Sequence, residues 1–253
     1  MMCRQCEQTA DHKACTTQGV CGKSSETSNL QDALLDSLKS LALWCVAARQ
    51  MDRSIDQSLQ EQANVLTLKA TFSTLTNVNF SPGRIVEYIR QVEQAKNEMR
   101  QAVQAAGGVV SEQSPSALAN LDLTNHTDAE LEHYGHSTAN LAVRSAAMNH
   151  ADAFALNEIA TYGLKGLCAY ATHVYQLVQR TDADIRKNVH EILAILARPQ
   201  PDMDLLLATA LRVGEVNAQV LAQLDQAHAH VLGQPEPTPV RTSAVQGKAI
   251  LVS

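Results

Sequence analysis

Four of the six cysteines stand in the first 23 residues, MMCRQCEQTADHKACTTQGVCGK, at Cys3, Cys6, Cys15 and Cys21. Their spacing is Cys-x2-Cys-x8-Cys-x5-Cys. Thiolates are soft anionic donors, and four of them complete the shell of a tetrahedral zinc ion or hold the corners of an iron–sulfur cluster. The close Cys3/Cys6 pair can chelate from one tight turn, and Cys15 and Cys21 can close the site from the returning loop. The spacing does not choose between zinc and iron–sulfur, since it is neither the ferredoxin run nor a pair of zinc knuckles. Two disulfides or four free thiols are the competing readings. No basic segment followed by an apolar run marks a secretory signal. The expected compartment is therefore the reducing cytoplasm, which favours a metal site over a disulfide framework.

Other chemistry-bearing residues read as scaffold. Cys45 and Cys168 fall on apolar helical faces, where cysteine is a small core residue. His126, His133 and His136 gather near Glu130 and Glu132. Carboxylate–histidine pairs at helical spacing can bind a metal, but a solvated helix face explains them more simply. His150, His173 and His190 read as helix residues, and His228 and His230 as helix-end residues suited to the dipole. Lys165 lies between Gly163 and Gly166, a pattern of close helix packing. There is no phosphate loop and no nucleophile elbow. The net charge of −6 comes with scattered Lys and Arg, so no nucleic-acid face is expected. Apolar runs are broken well short of the ~20 residues of a membrane span, so no membrane contact is expected either.

The elements that must position the cysteines are helical. Aromatics are only 4% of the chain, which leaves Ala, Leu, Val and Ile to build the core and favours helix over sheet. Residues 1–27 read as a loop wrapped around a metal centre. A first three-helix bundle is expected over 28–107. Its first helix is capped by Ser28 and carries Leu30, Leu34, Leu38, Leu41 and Cys45 on one face to about Gln50. The second starts near Ser58. The third opens at Ser81-Pro82 and stops at Gly107-Gly108. Residues 108–126 read as a linker. A second three-helix bundle over 127–230 opens with the capping box Thr127-Asp128-Ala129-Glu130. It continues through Ala151 to Val178, a helix capped at Thr181-Asp182, and a last one from Asp202. A Pro-rich connection, 231–246, then leads to a short segment, 247–253, with the apolar run Ala249-Ile250-Leu251-Val252. That segment reads as the first β-strand of an α/β domain not contained in this sequence.

Several ordered motifs resemble the hybrid cluster protein family, also called prismane proteins or hydroxylamine reductases. They are Cys3-Arg4-Gln5-Cys6-Glu7-Gln8-Thr9, Gly19-Val20-Cys21-Gly22-Lys23, Glu26-Thr27, Leu30-Gln31-Asp32 and Phe72 to Phe80. Further along come Tyr162-Gly163-Leu164-Lys165-Gly166 with Ala169, Tyr170 and His173, then Pro237-Thr238-Pro239-Val240 and Gly247 to Ser253. The resemblance implies a mainly α fold: two three-helix bundles preceded by a cysteine-rich cluster-binding loop and ending in the strand that opens a Rossmann-like domain. The short-spaced cysteine class implies a [4Fe-4S] cluster on Cys3, Cys6, Cys15 and Cys21, passing electrons inward from the protein edge. The family's hybrid iron–sulfur–oxygen cluster reduces the substrate, hydroxylamine, to ammonia and water, and nitric oxide reduction is also proposed. Its ligands would lie after Ser253, so none is expected in this chain, and no catalytic residue is assigned. The implied partners are an electron-donor redox protein and the missing C-terminal hybrid-cluster domains, with self-association expected where those domains would pack. A stand-alone iron–sulfur electron-transfer or sensing module, and a zinc-stabilised helical interaction domain, are the alternatives.

Overall fold

A computed structural model describes residues 1–51, 55–111, 114–148, 150–237, 239 and 247. It is mainly α, with no strand among the described residues. The helices are α1 (Ser25–Arg49), α2 (Gln57–Ser73), α3 (Pro82–Ala105), α4 (Ser116–Ala119), α5 (Asp128–Tyr134), α6 (Leu141–Ala147), α7 (Ala151–Val178), α8 (Ala183–Leu196) and α9 (Met203–Leu232). The strand expected at 247–253 lies outside the described residues, apart from Gly247.

α1 begins earlier than the Ser28 cap expected from sequence. Ser24 is the N-cap, and its hydroxyl accepts from the Thr27 amide at 3.1 Å. Ser28 is already inside the helix, its N–H donating to Ser24 O at 3.1 Å. α2 likewise starts from Asp56, whose carboxylate accepts from Ser58 N, rather than from Ser58. The caps at Ser81-Pro82 and the Thr127/Glu130 capping box are as the sequence predicts.

α1 is the central strut and is buried on nearly every side. It packs most extensively on α3 and α8, while α7 pairs with α9 and α2. One continuous core includes Leu34, Leu38, Leu41, Ile85, Ile89, Met99, Leu164, Leu167, Ile192 and Val213, so helices from both halves of the chain contribute to it. Burial of this kind is the main favourable contribution to folding, about 25 cal/mol per Å² of apolar surface.

Two buried polar groups on α1 reach across to the backbone that follows α3. Ser40 donates to Leu118 O at 2.7 Å and Trp44 Nε1 to Ala119 O at 3.1 Å. These bonds fasten the stretch that follows α3. The buried Lys96–Glu93 pair fastens it from the other side: Lys96 donates to Leu121 O, and Glu93 accepts from Leu123 N at 2.7 Å.

Between α5 and α6 the chain widens into a π-helical segment, Gly135–Ala139, laid against α1. A Cβ at Gly135 would overlap the backbone carbonyl of Asn29, so only glycine permits this approach. On α7, Gly163 faces Val213 of α9 closely, in keeping with the helix crossing expected there. α9 is long and apolar enough to cross a membrane by length and composition alone. Here its buried stripe, Leu206, Val213, Val216, Val220 and Leu224, packs onto α7 and α8.

Candidate metal centre

The N-terminal loop has almost no regular structure, yet its backbone is specified. Cys3 and Cys15 face each other as an isolated antiparallel bridge, with Cys3 N to Cys15 O at 3.0 Å and Cys15 N to Cys3 O at 2.8 Å. Residues paired in this way send their side chains to the same side. The chain between them turns at Cys6, whose carbonyl accepts from both the amide and the hydroxyl of Thr9, at 3.2 and 2.7 Å. Thr9 thus holds the turn. A short 3-10 turn, Ala10–His12, follows, with Asp11 and His12 at φ of 52° and 55°. The Ala10 amide is 3.5 Å from Cys15 Sγ, one backbone donor aimed at a thiol.

Cys21 sits in a second turn closed by Gly22 N to Gly19 O and Gly19 N to Lys23 O, both 2.8 Å. Gly22 has φ of +88°, a conformation open to glycine and strained for other residues. A Cβ at Gly19 would come 3.0 Å from Cys21 Sγ, so that sulfur has room only beside a glycine.

All six cysteines are free thiols. Cys15 is buried, while Cys3, Cys6 and Cys21 are half-buried. Lys23 is 3% exposed and places its Nζ 3.8 Å from Cys3 Sγ and 2.8 Å from Gln31 Oε1, bringing a positive charge to the sulfur from the root of α1. Arg4 lies over the Phe154 ring of α7 at 5.5 Å and docks the loop on that helix. Among the described residues, no three Cys, His, Asp or Glu side chains converge as ligands of a single ion. An iron–sulfur cubane asks for something different: one thiolate at each of four separate corners. The donor set, four free thiols on one loop with a cation and a backbone amide beside them, is the kind such a cluster takes.

Beneath the loop lies a polar chamber that sequence reasoning missed. Cys3, Arg4, Ser28, Asp32, Arg144 and Lys165 share the lining of a small cavity with Glu158 and Tyr162. Arg144 of α6 pairs with Glu158 of α7, and Tyr162 donates to Glu158 Oε2 at 2.8 Å. Lys165 is 1% exposed and donates to Thr74 O at 3.2 Å. Asp32 is half-buried as a residue, but its Oδ2 is closed off from solvent and has no hydrogen-bond partner among the described residues. Burial pushes the Asp32 carboxyl well above the usual carboxylate range, against the pull of Arg144 and Lys165. Burial also lowers Lys165, against the pull of Asp32. Burial disfavours charge on Arg144 too, but Glu158 and Asp32 outweigh it and hold the guanidinium charged. Lys165 is therefore a member of a buried charge cluster, beyond the packing role read from its flanking glycines.

The remaining candidates sit apart from the loop. Cys45 and Cys168 are core residues, and burial pushes each thiol up to about 12. His133 and His136 are exposed, and Glu132 accepts from Asn29 of α1. His173 meets Phe72 edge-on at 5.5 Å. His150 caps α7 rather than lying within it. His190 is buried between Arg49 and Thr67, at 2.8 and 3.0 Å.

The family model described as Prismane/CO dehydrogenase family matches residues 1–253. That family binds iron–sulfur clusters and is one of oxidoreductases, in keeping with a cysteine loop at the head of a helical scaffold. By that match, this chain belongs to the Prismane/CO dehydrogenase family.

Proposed function

We propose that these residues form the electron-relay part of an iron–sulfur oxidoreductase resembling hydroxylamine reductase, with a [4Fe-4S] cluster on Cys3, Cys6, Cys15 and Cys21. The observation that carries this reading is the Cys3–Cys15 bridge, with Lys23 against Cys3 Sγ and Cys21 turned in beside Gly19. The cluster supplies one-electron transfer at a potential set by hydrogen bonds, charge and solvent exposure. The chain's own residues do the rest. Lys23 offsets thiolate charge, the Ala10 amide points at Cys15 Sγ, and Arg4 anchors the loop on α7 next to the charged chamber.

In this reading the substrate is reduced elsewhere, at a hybrid cluster whose ligands are not drawn from these residues. Cys45 and Cys168 support that division, since both are sealed in the core. An electron-donor redox protein would dock at the half-exposed loop, and the free thiols suit the reducing cytoplasm.

Anaerobic reconstitution tests the assignment. About four iron and four acid-labile sulfide per chain are expected, with loss of both on Cys15→Ser or Cys21→Ser. Zinc at about one per chain without sulfide would replace the cluster with a structural ion. The purified chain is expected to bind the cluster yet give no hydroxylamine turnover; measurable ammonia formation would overturn the division of labour.

A further inference from the structure

Asp32 and Lys165 are an unusual pair to find beneath a cysteine loop. Buried ionisable side chains normally have a close opposite charge or a full set of hydrogen bonds. Glu158 and Arg144 satisfy that rule by pairing with each other. Among the described residues Asp32 Oδ2 meets no donor, and the Lys165 ammonium donates to the Thr74 carbonyl. Both line the cavity that Cys3 also lines, while the hydrogen bonds of Cys3 go to Cys15 and Lys23. The pair therefore shares one small cavity with Cys3, and Lys23, whose Nζ lies 3.8 Å from Cys3 Sγ, is among the charges acting on Lys165.

Every element around the cavity contributes. The loop brings Arg4 to the lining and sets the charge of Lys23 near Lys165, and α1 brings Asp32 to the lining with the charge of Asp36 near it. Behind the lining, Tyr134 of α5 donates its hydroxyl to Asp36 at 3.2 Å. α6 supplies Arg144, and α7 supplies Glu158, Tyr162 and Lys165. Arg144 is held charged, and Tyr162 is kept protonated by burial and by Glu158.

We propose that Asp32 and Lys165 form a proton-binding site that takes up one proton from solvent for each electron placed on the cysteine loop. This rests on the iron–sulfur reading above. The electron comes from an external one-electron donor and adds one negative charge beside Cys3. The proton comes from water or buffer and adds one positive charge at Asp32 or Lys165, so the net charge of the buried region is unchanged. The only bond formed is O–H or N–H, and oxidation reverses both steps. Burial moves the two groups toward each other, Asp32 upward and Lys165 downward, so a proton can be exchanged near neutral pH. A site that compensates charge in this way makes reduction easier in acid and harder in alkali.

The test is the midpoint potential of the reconstituted full chain, titrated from acid to alkaline pH and followed by electron paramagnetic resonance. The wild type is expected to lose about 59 mV per pH unit near neutrality, the one-electron equivalent of a tenfold change in proton activity. Asp32→Asn and Lys165→Met are each expected to flatten that slope, while the exposed Glu98→Gln keeps it. Redox-difference infrared spectra of the wild type give a readout that needs no variant: reduction should raise a protonated-carboxyl band where Asp32 takes the proton or ammonium bands where Lys165 does, and the absence of both changes would overturn the site. A flat wild-type slope, or a slope unchanged in both folded variants, overturns the proton site alone. Failure to incorporate iron and sulfide overturns the cluster reading and the site with it.

Discussion

His190 shows what burial does to one residue. Its ring is held by Arg49 at Nδ1 and Thr67 at Nε2, and burial together with Arg49 pushes its pKa well below the ordinary imidazole value. The unfolded chain then binds a proton at His190 that the folded chain refuses. That stability is fully present above about pH 6.5 and is lost as pH falls below it. Chemical denaturation across pH 5 to 8 should show the decline, and His190→Gln should remove its His190 part. The cysteines separate by reactivity on the same principle. Thiolates, not thiols, are alkylated. In the metal-free native protein, maleimide followed by mass spectrometry should label Cys3, Cys6 and Cys21 readily. Cys45 and Cys168, with thiols pushed up to about 12, should react only after unfolding.

Among the elements, α1 carries the most. Ser24 caps it directly after Lys23, so the cap ties the cysteine loop to the central helix. Ser24→Ala should cost about 1 kcal/mol of stability, read as a lower denaturation midpoint at unchanged m-value. Gly135→Ala should cost more, about 3 kcal/mol at the upper end of overpacking penalties, because the obstacle is the Asn29 backbone rather than a movable side chain. The sequence made much of this legible. The 3.6-residue spacing of Leu30, Leu34, Leu38 and Leu41 marks α1, and Ser81-Pro82 and Thr127/Glu130 mark two helix starts to the residue. The N-cap of α1 lies four residues before Ser28 because Ser28 and Gln31, although spaced as a capping box, are both buried inside the fold. The charged chamber left a fainter trace. Ser28, Asp32 and Asp36 recur every four residues on α1, and Glu158 and Lys165 stand two turns apart on α7. Polar residues at a buried register are the signal, but which helix α1 faces is a tertiary fact that periodicity does not contain. The π-helical turn at Gly135 left no local trace at all, since its cause is the proximity of Asn29.

At the scale of the whole molecule, the core is shared but the surface is uneven. Leu207 and Leu211 on α9 and Ile159 on α7 are at least half exposed. Leu207 and Leu211 stand one helical turn apart on α9, and exposed apolar side chains so placed favour association in water. Light scattering at rising concentration should show reversible self-association, lessened by Leu207→Gln with Leu211→Gln; a monomer at all concentrations would count against it. The single tryptophan offers a view of the interior that none of the cysteines can give. Trp44 is 5% exposed on α1, and its indole N–H is bonded to the Ala119 carbonyl. Its emission therefore reports the seating of the segment around Ala119 on the central helix, without interference from a second fluorophore of its kind. A red shift that precedes the loss of helical circular dichroism would mean that this clasp opens before the scaffold melts. A coincident change would make the clasp part of a single cooperative unit.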